Sequence, residues 1–335
     1  MAEKVAVIGA GSWGTTVAAL AAGNAATVLW ARDPALAETV RTEHRNPTYL
    51  PDFLLPERLE STHDIGEAVA GASLVIMAVP SHGFRAVATD LAEVLAKGTP
   101  VLSLTKGLEQ GSQLRMTQLL AEVLPDSPSG MLTGPNLAAE VAAGQPTASV
   151  VALADANQAR WVQSLLMSKT FRVYTNADVI GCEIAGALKN VLAVAAGISD
   201  GLGFGDNSRA AMITRGLAEM ARFGMKLGGE LITFGGLAGV GDLVATCTSS
   251  KSRNHTVGVA LGQGRTLADI MGEMRMVAEG VKTARPMVEL AASVDVEVPI
   301  ATQVADMIDG IRSPAEAIAA LMERPATSEF RGLTP

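Results

Sequence analysis

In the first half of the chain, short apolar runs alternate with stretches whose apolar residues recur at helical spacing. The short runs predict buried strands, and the longer stretches between them predict helices. Strands separated by helices are typical of βαβ units, so we expect a largely parallel, doubly wound sheet with helices on both faces. The predicted strands are residues 4–8, 26–30, 74–79, 101–104, 131–133, 148–153 and 171–174.

After about residue 178 the strand pattern stops and helical patterns continue. Residues 183–198 are almost entirely aliphatic, which predicts a helix buried on all sides. Further helices are predicted over residues 208–226, 254–261, 281–294, 301–308 and 315–323. We therefore predict an α/β domain over residues 1–177 and an all-α domain over residues 178–335, closely packed with a cleft between them.

The length supports two domains, since 335 residues exceed what one hydrophobic core usually organises. Hydrophobic residues make up 48% of the chain and charged residues 18%, which excludes a disordered protein. The 26 basic residues face 34 acidic ones, giving a formal net charge of −8. This balance argues against nucleic-acid binding, so an anionic ligand would have to be met by a few local cations.

The remaining composition points to a cytoplasmic protein without a metal. Cys182 and Cys247 form no disulfide framework, and the four histidines lack the spacing of a metal site. Residues 5–31 carry no charge and are long enough for a membrane span, but glycines interrupt them. They fit a strand, a glycine-rich turn, a helix and a second strand better, so we predict neither a membrane span nor a signal peptide.

The sharpest motif is a GxGxxG formed by Gly9, Gly11 and Gly14, directly after the first predicted strand. The first glycine permits a tight turn, the second lets the backbone approach a pyrophosphate, and the third permits close contact between helix and strand. The following helix offers free N–H groups to phosphates. Glycine-rich turns also occur for structural reasons alone, but the context of strand, turn and helix favours dinucleotide binding by a Rossmann-type domain.

The residues after the second strand bear on the choice of dinucleotide. A carboxylate at this position binds the ribose 2′-hydroxyl of NAD, whereas an arginine accepts the 2′-phosphate of NADP. Arg32 comes first and Asp33 follows, so we expect NADP to be preferred, with NAD also used. The alternative is an ordinary surface pair of arginine and aspartate.

Several polar residues stand out where the pattern predicts a strand end or a buried helix. Lys106 follows a strand, where side chains face the ligand crevice of α/β sheets, although a solvated loop lysine fits its position equally well. Gly134 and Asn136 open a helical stretch after another strand, whose free N–H groups offer a second polar contact, although by itself the segment fits a common strand-to-helix turn better. Lys189 lies in the predicted buried helix, where an ammonium needs a partner or a ligand and could exchange a proton; the alternative is a lysine whose charge reaches the surface.

Three further segments carry candidate chemistry in the C-terminal half. Asp242 follows a glycine-rich stretch and could cap a helix or bind Lys189 or a substrate hydroxyl. Residues 249–254 place hydroxyl groups, an arginine and an amide before a helix, which fits a phosphate site or a solvated turn. Glu279 precedes another helix and is ambiguous by itself.

Together these motifs resemble the bacterial NAD(P)-dependent glycerol-3-phosphate dehydrogenases over essentially the whole chain. One departure is Leu137, where the family usually has phenylalanine. The resemblance implies an α/β Rossmann-type domain joined to an all-α domain, as in 6-phosphogluconate dehydrogenase. The matching segments are GAGSWGT at 9–15, LWARD at 29–33, NPTYLPDFLLP at 46–56, VPSH at 79–82, TKGLE at 105–109, GPNLAAEVAAGQPT at 134–147, EIAGALKNVLAVAAGI at 183–198, GLAGVGDLVATC at 236–247, SSKSRN at 249–254 and VAEGVKTA at 277–284.

The resemblance implies reversible reduction of dihydroxyacetone phosphate to sn-glycerol 3-phosphate, which supplies glycerophospholipid synthesis; it allows a homodimer. It assigns Lys189 as the proton donor and acceptor. The implied substrate-binding residues are Lys106, Gly134, Asn136, Lys189, Asp242, Ser252, Arg253 and Asn254. The implied cofactor-binding residues are Gly9, Gly11, Ser12, Trp13, Gly14, Arg32, Lys106, Ala138, Arg253 and Glu279.

Two alternatives stay open at this point. Dehydrogenases of 6-phosphogluconate or of 3-hydroxy acids share the same domain plan and a lysine–asparagine pair, although Asp242 and the Ser252–Asn254 run favour glycerol phosphate. A redox-sensing protein would bind the dinucleotide without chemistry, but it would have no use for a buried Lys189.

Overall fold

The computed structural model describes residues 3–274, 277–329 and 331–332. It divides the chain into two compact units. The N-terminal unit comprises Met1–Thr105 and Met116–Val179, and the C-terminal unit comprises Lys106–Arg115 and Ile180–Pro335. The division falls two residues beyond the predicted boundary at 177, and it assigns residues 106–115, called the arm below, to the C-terminal unit. No pattern in the sequence indicates this assignment of the arm.

The N-terminal unit contains ten strands and seven helices within its described residues. The strands are β1 Lys4–Ile8, β2 Ala26–Trp30, β3 Arg45–Asn46, β4 Leu50–Leu54, β5 Leu59–Thr62, β6 Leu74–Met77, β7 Val101–Ser103, β8 Ser129–Thr133, β9 Thr147–Ala152 and β10 Phe171–Asn176. The helices are α1 Ser12–Ala21, α2 Pro34–Glu43, α3 Ile65–Val69, α4 Ser81–Ala92, α5 Met116–Val123, α6 Ala138–Ala142 and α7 Ala156–Leu166.

Eight of these strands form one sheet in the order β10-β9-β8-β7-β6-β1-β2-β5. All neighbours are parallel except β8 and β9, which run antiparallel. The chain builds outward from β1 in one direction through β2 and β5, and then in the other from β6. The point between β1 and β6, where this direction reverses, is where open α/β sheets place their ligand crevice.

Both faces of the sheet are buried, as the continuous apolar strands predicted. In β1, Val5 and Val7 belong to one apolar cluster, and Ala6 and Ile8 belong to another. Successive side chains of a strand point to opposite faces, so each cluster covers one face. The predicted α/β architecture with an N-terminal parallel sheet is therefore confirmed.

In the C-terminal unit, the described residues form helices and one π-helical turn, and the arm contributes a single bridge between Leu108 and Arg115. The helices are α8 Val179–Gly201, α9 Asp206–Lys226, α10 Leu231–Phe234, α11 Asp242–Thr248, α12 Arg253–Gly262, α13 Leu267–Glu273, α14 Glu279–Ser293, α15 Pro299–Ile308 and α16 Pro314–Met322. The π-helical turn spans Leu237–Gly241 and leads directly into α11. The predicted all-α fold of this region is confirmed.

Glycines permit a very close approach between α8 and α12. A Cβ at Gly197 would lie 2.1 Å from the carbonyl oxygen of His255, and one at Gly258 would lie 2.1 Å from that of Val194. No side chain fits in such a gap, so the two backbones touch directly. This contact holds α12 against the half of α8 that follows Lys189 and Asn190.

Candidate functional site

The GxGxxG turn, Gly9–Gly14, lies at the reversal point of the sheet. The N–H of Ala78, just after β6, donates to the carbonyl of Ile8 at 2.8 Å, and Gly9 follows β1 directly. Gly9 has a φ of +120°, which favours glycine, and a Cβ there would lie 2.6 Å from the carbonyl oxygen of Ala78. The turn therefore stands at the carboxyl ends of two central strands.

The other two glycines of the turn have opposite surroundings. A Cβ at Gly14 would lie 2.0 Å from the carbonyl oxygen of Gly9, which shows how tightly α1 packs on the strand end. A Cβ at Gly11 would meet nothing within 4 Å. Gly11 is also the N-cap of α1, and no side chain there accepts a hydrogen bond from the helix. The turn thus offers open space and helix N–H groups at one place, which suits an anion.

The remaining N-terminal candidates lie around this turn or at the next strand end. Ser12 donates to the carbonyl of Tyr49 at 2.7 Å, and the indole N–H of Trp13 is buried without an acceptor among the described residues. Arg32 is exposed just beyond β2. Asp33 accepts a hydrogen bond from the N–H of Ala35 at 2.9 Å and caps α2, so its carboxylate has a structural use.

The candidates near residue 134 form a second polar turn of the same unit. Gly134 has a φ of +128°, and the Nδ2 of Asn136 donates to Ser149 Oγ at 3.0 Å. The Oδ1 of Asn136 is buried and lacks a donor among the described residues. Ala138 begins α6, and its carbonyl accepts from Thr16 of α1 at 3.4 Å. This arrangement leaves one buried acceptor unused, as a ligand site does.

In the C-terminal unit, Lys189 and Lys106 share one carboxylate. Lys189 Nζ lies 2.8 Å from Asp242 Oδ1 and donates to Thr246 Oγ1 at 2.7 Å. Lys106 Nζ lies 2.6 Å from Asp242 Oδ2. The side chains of Lys106, Lys189 and Asp242 are 12%, 8% and 2% exposed. The alternatives of a solvated loop lysine at 106 and of a surface-reaching charge at 189 are therefore wrong. We call these three residues the lysine–aspartate cluster.

The cluster carries two positive charges against one negative charge, and burial acts on all three groups. Burial raises the pKa of the Asp242 carboxyl, but the two ammonium groups outweigh this effect and leave the pKa below its usual value. Burial also lowers the pKa of Lys106 to about 8, against the opposing pull of Asp242 and with a further lowering by Lys189. The result is a buried cationic site in which one amine titrates near neutral pH.

A chain of amides connects the cluster to α12. Asn190 Nδ2 donates to the carbonyl of Lys106 at 2.9 Å, and Asn254 Nδ2 donates to Asn190 Oδ1 at 2.9 Å. Asn254 Oδ1 in turn accepts from the N–H of Gly280 at 2.9 Å. These bonds fix the backbone of Lys106 and the beginnings of α12 and α14 around one centre.

The other C-terminal candidates lie at the same helix beginnings. Ser252 is the N-cap of α12 and accepts from the N–H of His255 at 3.3 Å. Arg253 is the first residue of α12 and is exposed, while Glu279 is the first residue of α14 and is half-buried. The structure therefore groups Lys106, Lys189, Asp242 and Asn254 by direct contact or one shared partner, with Ser252 and Arg253 adjacent in sequence.

Two family models together match most of the chain: the N-terminal part of NAD-dependent glycerol-3-phosphate dehydrogenase over residues 4–159 and its C-terminal part over 178–319. The chain belongs to this family. It is 50% identical over 329 residues to "Glycerol-3-phosphate dehydrogenase [NAD(P)+] 2" of Sphingopyxis alaskensis, covering 98% of this chain and 99% of that one. It is also 49% identical over 334 residues to "Glycerol-3-phosphate dehydrogenase [NAD(P)+]" of Thermobifida fusca, covering 98% of this chain and 99% of that one.

The fold agrees with this membership. The crystal structure of glycerol-3-phosphate dehydrogenase from Coxiella burnetii superimposes with a TM-score of 0.92 at 37% identity, covering 96% of this chain and 99% of that chain. The chain is therefore an NAD(P)-dependent oxidoreductase. The predicted family, fold class and use of NAD or NADP are confirmed, and the match favours glycerol phosphate over the alternative substrates and over a non-catalytic redox sensor.

The N-terminal unit fits such a cofactor. Its turn has open space at Gly11, an α1 N-terminus without a side-chain cap, and the unpartnered indole N–H of Trp13 close by. Among the described residues, no group of three or more His, Cys, Asp and Glu side chains is placed to hold a metal ion. The absence of a metal from the reaction stays a prediction.

Two contacts of the site were not predicted. Thr246 donates to Asp242 Oδ1 at 3.2 Å and also contacts Lys189. It lies four residues after Asp242 in α11, so the two share one helix face, and this spacing could have indicated the contact between them. Arg115 of the arm forms an ion pair with Glu183 of α8, with both side chains largely buried. No local pattern indicates that pair, because its partners lie 68 residues apart.

Two segments are long and apolar enough to span a membrane by length and composition alone. In Val179–Gly201, 83% of the most apolar window is buried within the protein, and in Leu231–Thr248 the share is 44%. The first segment carries Lys189, and the second carries Asp242, which pairs with it. The burial of Val179–Gly201 is typical of a core helix, and its ion pair with the second segment lies inside the protein.

Proposed function

We propose that the lysine–aspartate cluster is the centre at which this enzyme interconverts dihydroxyacetone phosphate and sn-glycerol 3-phosphate. The observation that carries this assignment is the pair of buried ammonium groups on the two oxygens of Asp242. When bound, NAD(P)H supplies the hydride that reduces the carbonyl carbon. The product alcohol is the backbone of glycerophospholipids.

Lys189 acts as the proton donor in reduction and as the acceptor in oxidation. Reduction of a ketone places negative charge on its oxygen, so a nearby ammonium both stabilises that charge and supplies the proton. Asp242 and Thr246 hold the Lys189 Nζ in place at 2.8 and 2.7 Å. The proton leaves Lys189 Nζ for the substrate oxygen, and in the reverse direction it returns to the same nitrogen.

The substrate phosphate is a handle that orients the carbonyl. In this proposal Lys106, Ser252, Arg253 and Asn254 bind the substrate, together with Gly134 and Asn136. Arg253 is exposed at the first turn of α12, where a guanidinium and helix N–H groups can meet a phosphate. These few cations let an acidic chain with a net charge of −8 bind a dianion.

Cofactor binding is assigned to the N-terminal turn and its surroundings. The open space at Gly11 and the tight packing of Gly9 and Gly14 support it. The further residues in this assignment are Ser12, Trp13, Arg32, Ala138, Lys106, Arg253 and Glu279. In outline, residues 1–177 serve the cofactor and 178–335 serve catalysis. The assignments that cross this division are Gly134 and Asn136 to the substrate, Arg253 and Glu279 to the cofactor, and Lys106, which the arm brings into the C-terminal unit.

The replacement Lys189→Ala tests the catalytic assignment. We expect kcat for dihydroxyacetone phosphate reduction to fall by about 100- to 10,000-fold, because general acid catalysis contributes about that much. Steady-state kinetics with NADH and NADPH in turn measure the change, and addition of a small primary amine is expected to restore part of kcat. Lys226→Ala, at an exposed lysine that ends α9, is the matched control.

An unchanged kcat for Lys189→Ala, with the control also unchanged, would remove Lys189 from the chemistry. If the wild type oxidised neither NADH nor NADPH in the presence of dihydroxyacetone phosphate, the assignment of the substrate would be wrong instead. The cofactor dissociation constant of the variant separates a lost proton donor from a collapsed fold, because only the collapse weakens cofactor binding.

Finally, we propose that the enzyme is a cytoplasmic protein without a membrane span, and a homodimer is the assembly that the family resemblance allows. The burial of Val179–Gly201 and the ion pair between the two apolar segments support the absence of a span. Cell fractionation tests the location. Light scattering tests the dimer against the monomer mass of 34.5 kDa.

A further inference from the structure

Asn46 is a fully buried polar residue beside the Gly9–Gly14 turn, and the mechanism above gives it no part. It lies in β3, which pairs with β4. Both strands belong to residues 44–58, the segment between α2 and β5, which we call the excursion. The side chain of Asn46 is 0% exposed. Most buried polar side-chain atoms are hydrogen-bonded, so the partners of Asn46 show what it holds.

Those partners belong to the turn. Asn46 Nδ2 donates to the carbonyl of Ala10 at 2.8 Å and lies 2.8 Å from Thr15 Oγ1. Thr15 Oγ1 also donates to the Ala10 carbonyl at 3.2 Å. Asn46 Oδ1 accepts from the N–H of Tyr49 at 3.0 Å. Two donors from different segments therefore converge on one carbonyl inside the glycine turn.

The direction of that carbonyl fixes the direction of the next N–H. In a planar trans peptide, the C=O of Ala10 and the N–H of Gly11 point in opposite directions. Asn46 and Thr15 pull the carbonyl into the protein, so the Gly11 N–H points away from it. Gly11 is the position where an added Cβ would meet nothing within 4 Å.

The excursion also forms a hydrogen bond with the turn on the other side of Gly11. Ser12 Oγ donates to the carbonyl of Tyr49 at 2.7 Å, and Tyr49 is bonded back to Asn46. The base of the excursion is fixed by the N–H of Leu55, which donates to the carbonyl of His44 at 2.8 Å, and by the buried side chains of Leu50 and Leu55. The turn is thus braced at both residues that flank Gly11.

We propose that Asn46 is a positioning residue for cofactor binding, which orients the Gly11 N–H toward the pyrophosphate of the dinucleotide. This inference rests on the proposed function, in which the turn binds NAD(P). A preset N–H needs no reorganisation when the anion arrives, so loss of Asn46 weakens ligands that carry a pyrophosphate and leaves the nucleoside contacts intact.

The test compares Asn46→Asp with the wild type. The aspartate keeps the shape but places an acceptor against the Ala10 carbonyl. We expect the dissociation constants of NADH, by fluorescence titration, and of ADP, by displacement of NADH, to rise about tenfold or more. Adenosine, which has no phosphate, is expected to change less than about threefold. Thr15→Val is a second variant, which removes the other donor and is expected to act in the same direction more weakly.

Asn24→Asp is the matched control. Asn24 Nδ2 also donates to two backbone carbonyls of the same unit, those of Leu165 and Met167, both at 3.0 Å. We expect this variant to lower the unfolding temperature without changing ADP binding. Equal weakening of ADP and adenosine in Asn46→Asp, or unchanged ADP binding in both Asn46→Asp and Thr15→Val, overturns the inference. If the wild type itself binds neither NADH nor ADP, the proposed cofactor assignment fails instead.

Discussion

The glycine turn and the lysine–aspartate cluster are the two arrangements that we propose bind anions, and they are built by opposite means. At Gly9–Gly14 the groups available to a ligand are backbone N–H groups beside open space, and the side chains of Asn46 and Thr15 only hold the Ala10 carbonyl. In the cluster the charges are on side chains, and the backbone only brings Lys106, Lys189 and Asp242 together. The first arrangement therefore depends on peptide geometry and the second on charge balance, so each should fail under a different kind of substitution.

Removing the shared charge should have the largest effect. Asp242→Asn leaves two buried ammonium groups without their carboxylate, which breaks a buried pair on both sides. We expect the free energy of unfolding to fall by about 3 kcal/mol or more and turnover to be lost. Urea unfolding at pH 7 and steady-state kinetics measure the two effects.

The control for Asp242→Asn is Glu38→Gln, which removes the exposed ion pair between Glu38 and Arg41 in α2. Exposed pairs contribute little, so its unfolding curve should match the wild type. If Asp242→Asn were equally harmless, the two ammonium groups would have to be solvated, and the contrast between a charge-built cluster and a backbone-built turn would be lost.

The turn should instead respond to added volume, and differently at Gly11 and at Gly14. A methyl group at Gly14 would lie 2.0 Å from the Gly9 carbonyl oxygen, so Gly14→Ala should destabilise the N-terminal unit by a few kcal/mol, roughly as overpacking does. Gly11→Ala meets no protein atom, and its φ of −68° suits alanine. It should fold normally and weaken NADH binding about tenfold or more, because the methyl group occupies the ligand's space.

Thermal unfolding and NADH titration of both variants check this pair. A Gly11→Ala protein that binds NADH as the wild type does would show that the open space is not where the dinucleotide lies. A stable Gly14→Ala protein would show that the contact between α1 and β1 can relax.

The glycine turn and the lysine–aspartate cluster also differ in how much of each the sequence pattern could predict. The β1–turn–α1 unit is contiguous, so the local pattern predicted its strand, its glycine turn and the helix that follows. Lys106 and Asp242 are 136 residues apart, and no spacing rule connects them. Their meeting depends on the arm, whose residues Gly111 and Gln113 have φ of +88° and +58°. Helix α5 begins only after the arm, at Met116.

The burial of single polar residues could not be predicted from the local sequence pattern either. Asn46 stands in a polar, proline-containing segment that is typical of an exposed loop, yet it is 0% exposed because the excursion folds back onto the turn. Helix α2 and strands β3 to β5 were also missed, since their mixed polarity gives no clear period. Long-range packing, not local propensity, placed these residues.

The charge of the cluster can also be changed by pH. The pKa of Lys106 is about 8, lowered chiefly by burial, so this amine is charged at pH 7 and becomes neutral as the pH rises through 8. If its charge binds the substrate phosphate, kcat/KM for dihydroxyacetone phosphate should fall above about pH 8, by up to roughly tenfold per pH unit. In Lys106→Arg the cation persists, so this alkaline fall should move beyond the measured range.

Initial rates between pH 6.5 and 9.5, at saturating NADH, give the two profiles. A fall that is the same in wild type and Lys106→Arg would assign it to another group. The dissociation constant of NADH over the same range separates the two roles assigned to Lys106: a constant value assigns the alkaline fall to the substrate, and a parallel rise assigns it to the cofactor.

The smallest effect is expected at Arg32, which combines features of both arrangements: a side-chain charge placed beside a backbone site. It is exposed after β2, so water screens its interaction. Arg32→Ala should raise KM for NADPH by roughly three- to tenfold and leave KM for NADH nearly unchanged, because only NADP has the 2′-phosphate. Arg41→Ala, at another exposed arginine of this unit, should change neither value. An equal rise for both cofactors would mean that Arg32 stacks on the adenine, which both share. Unchanged values for both would leave Arg32 as an ordinary surface residue, and the preference for NADP would then lose its only support in the sequence.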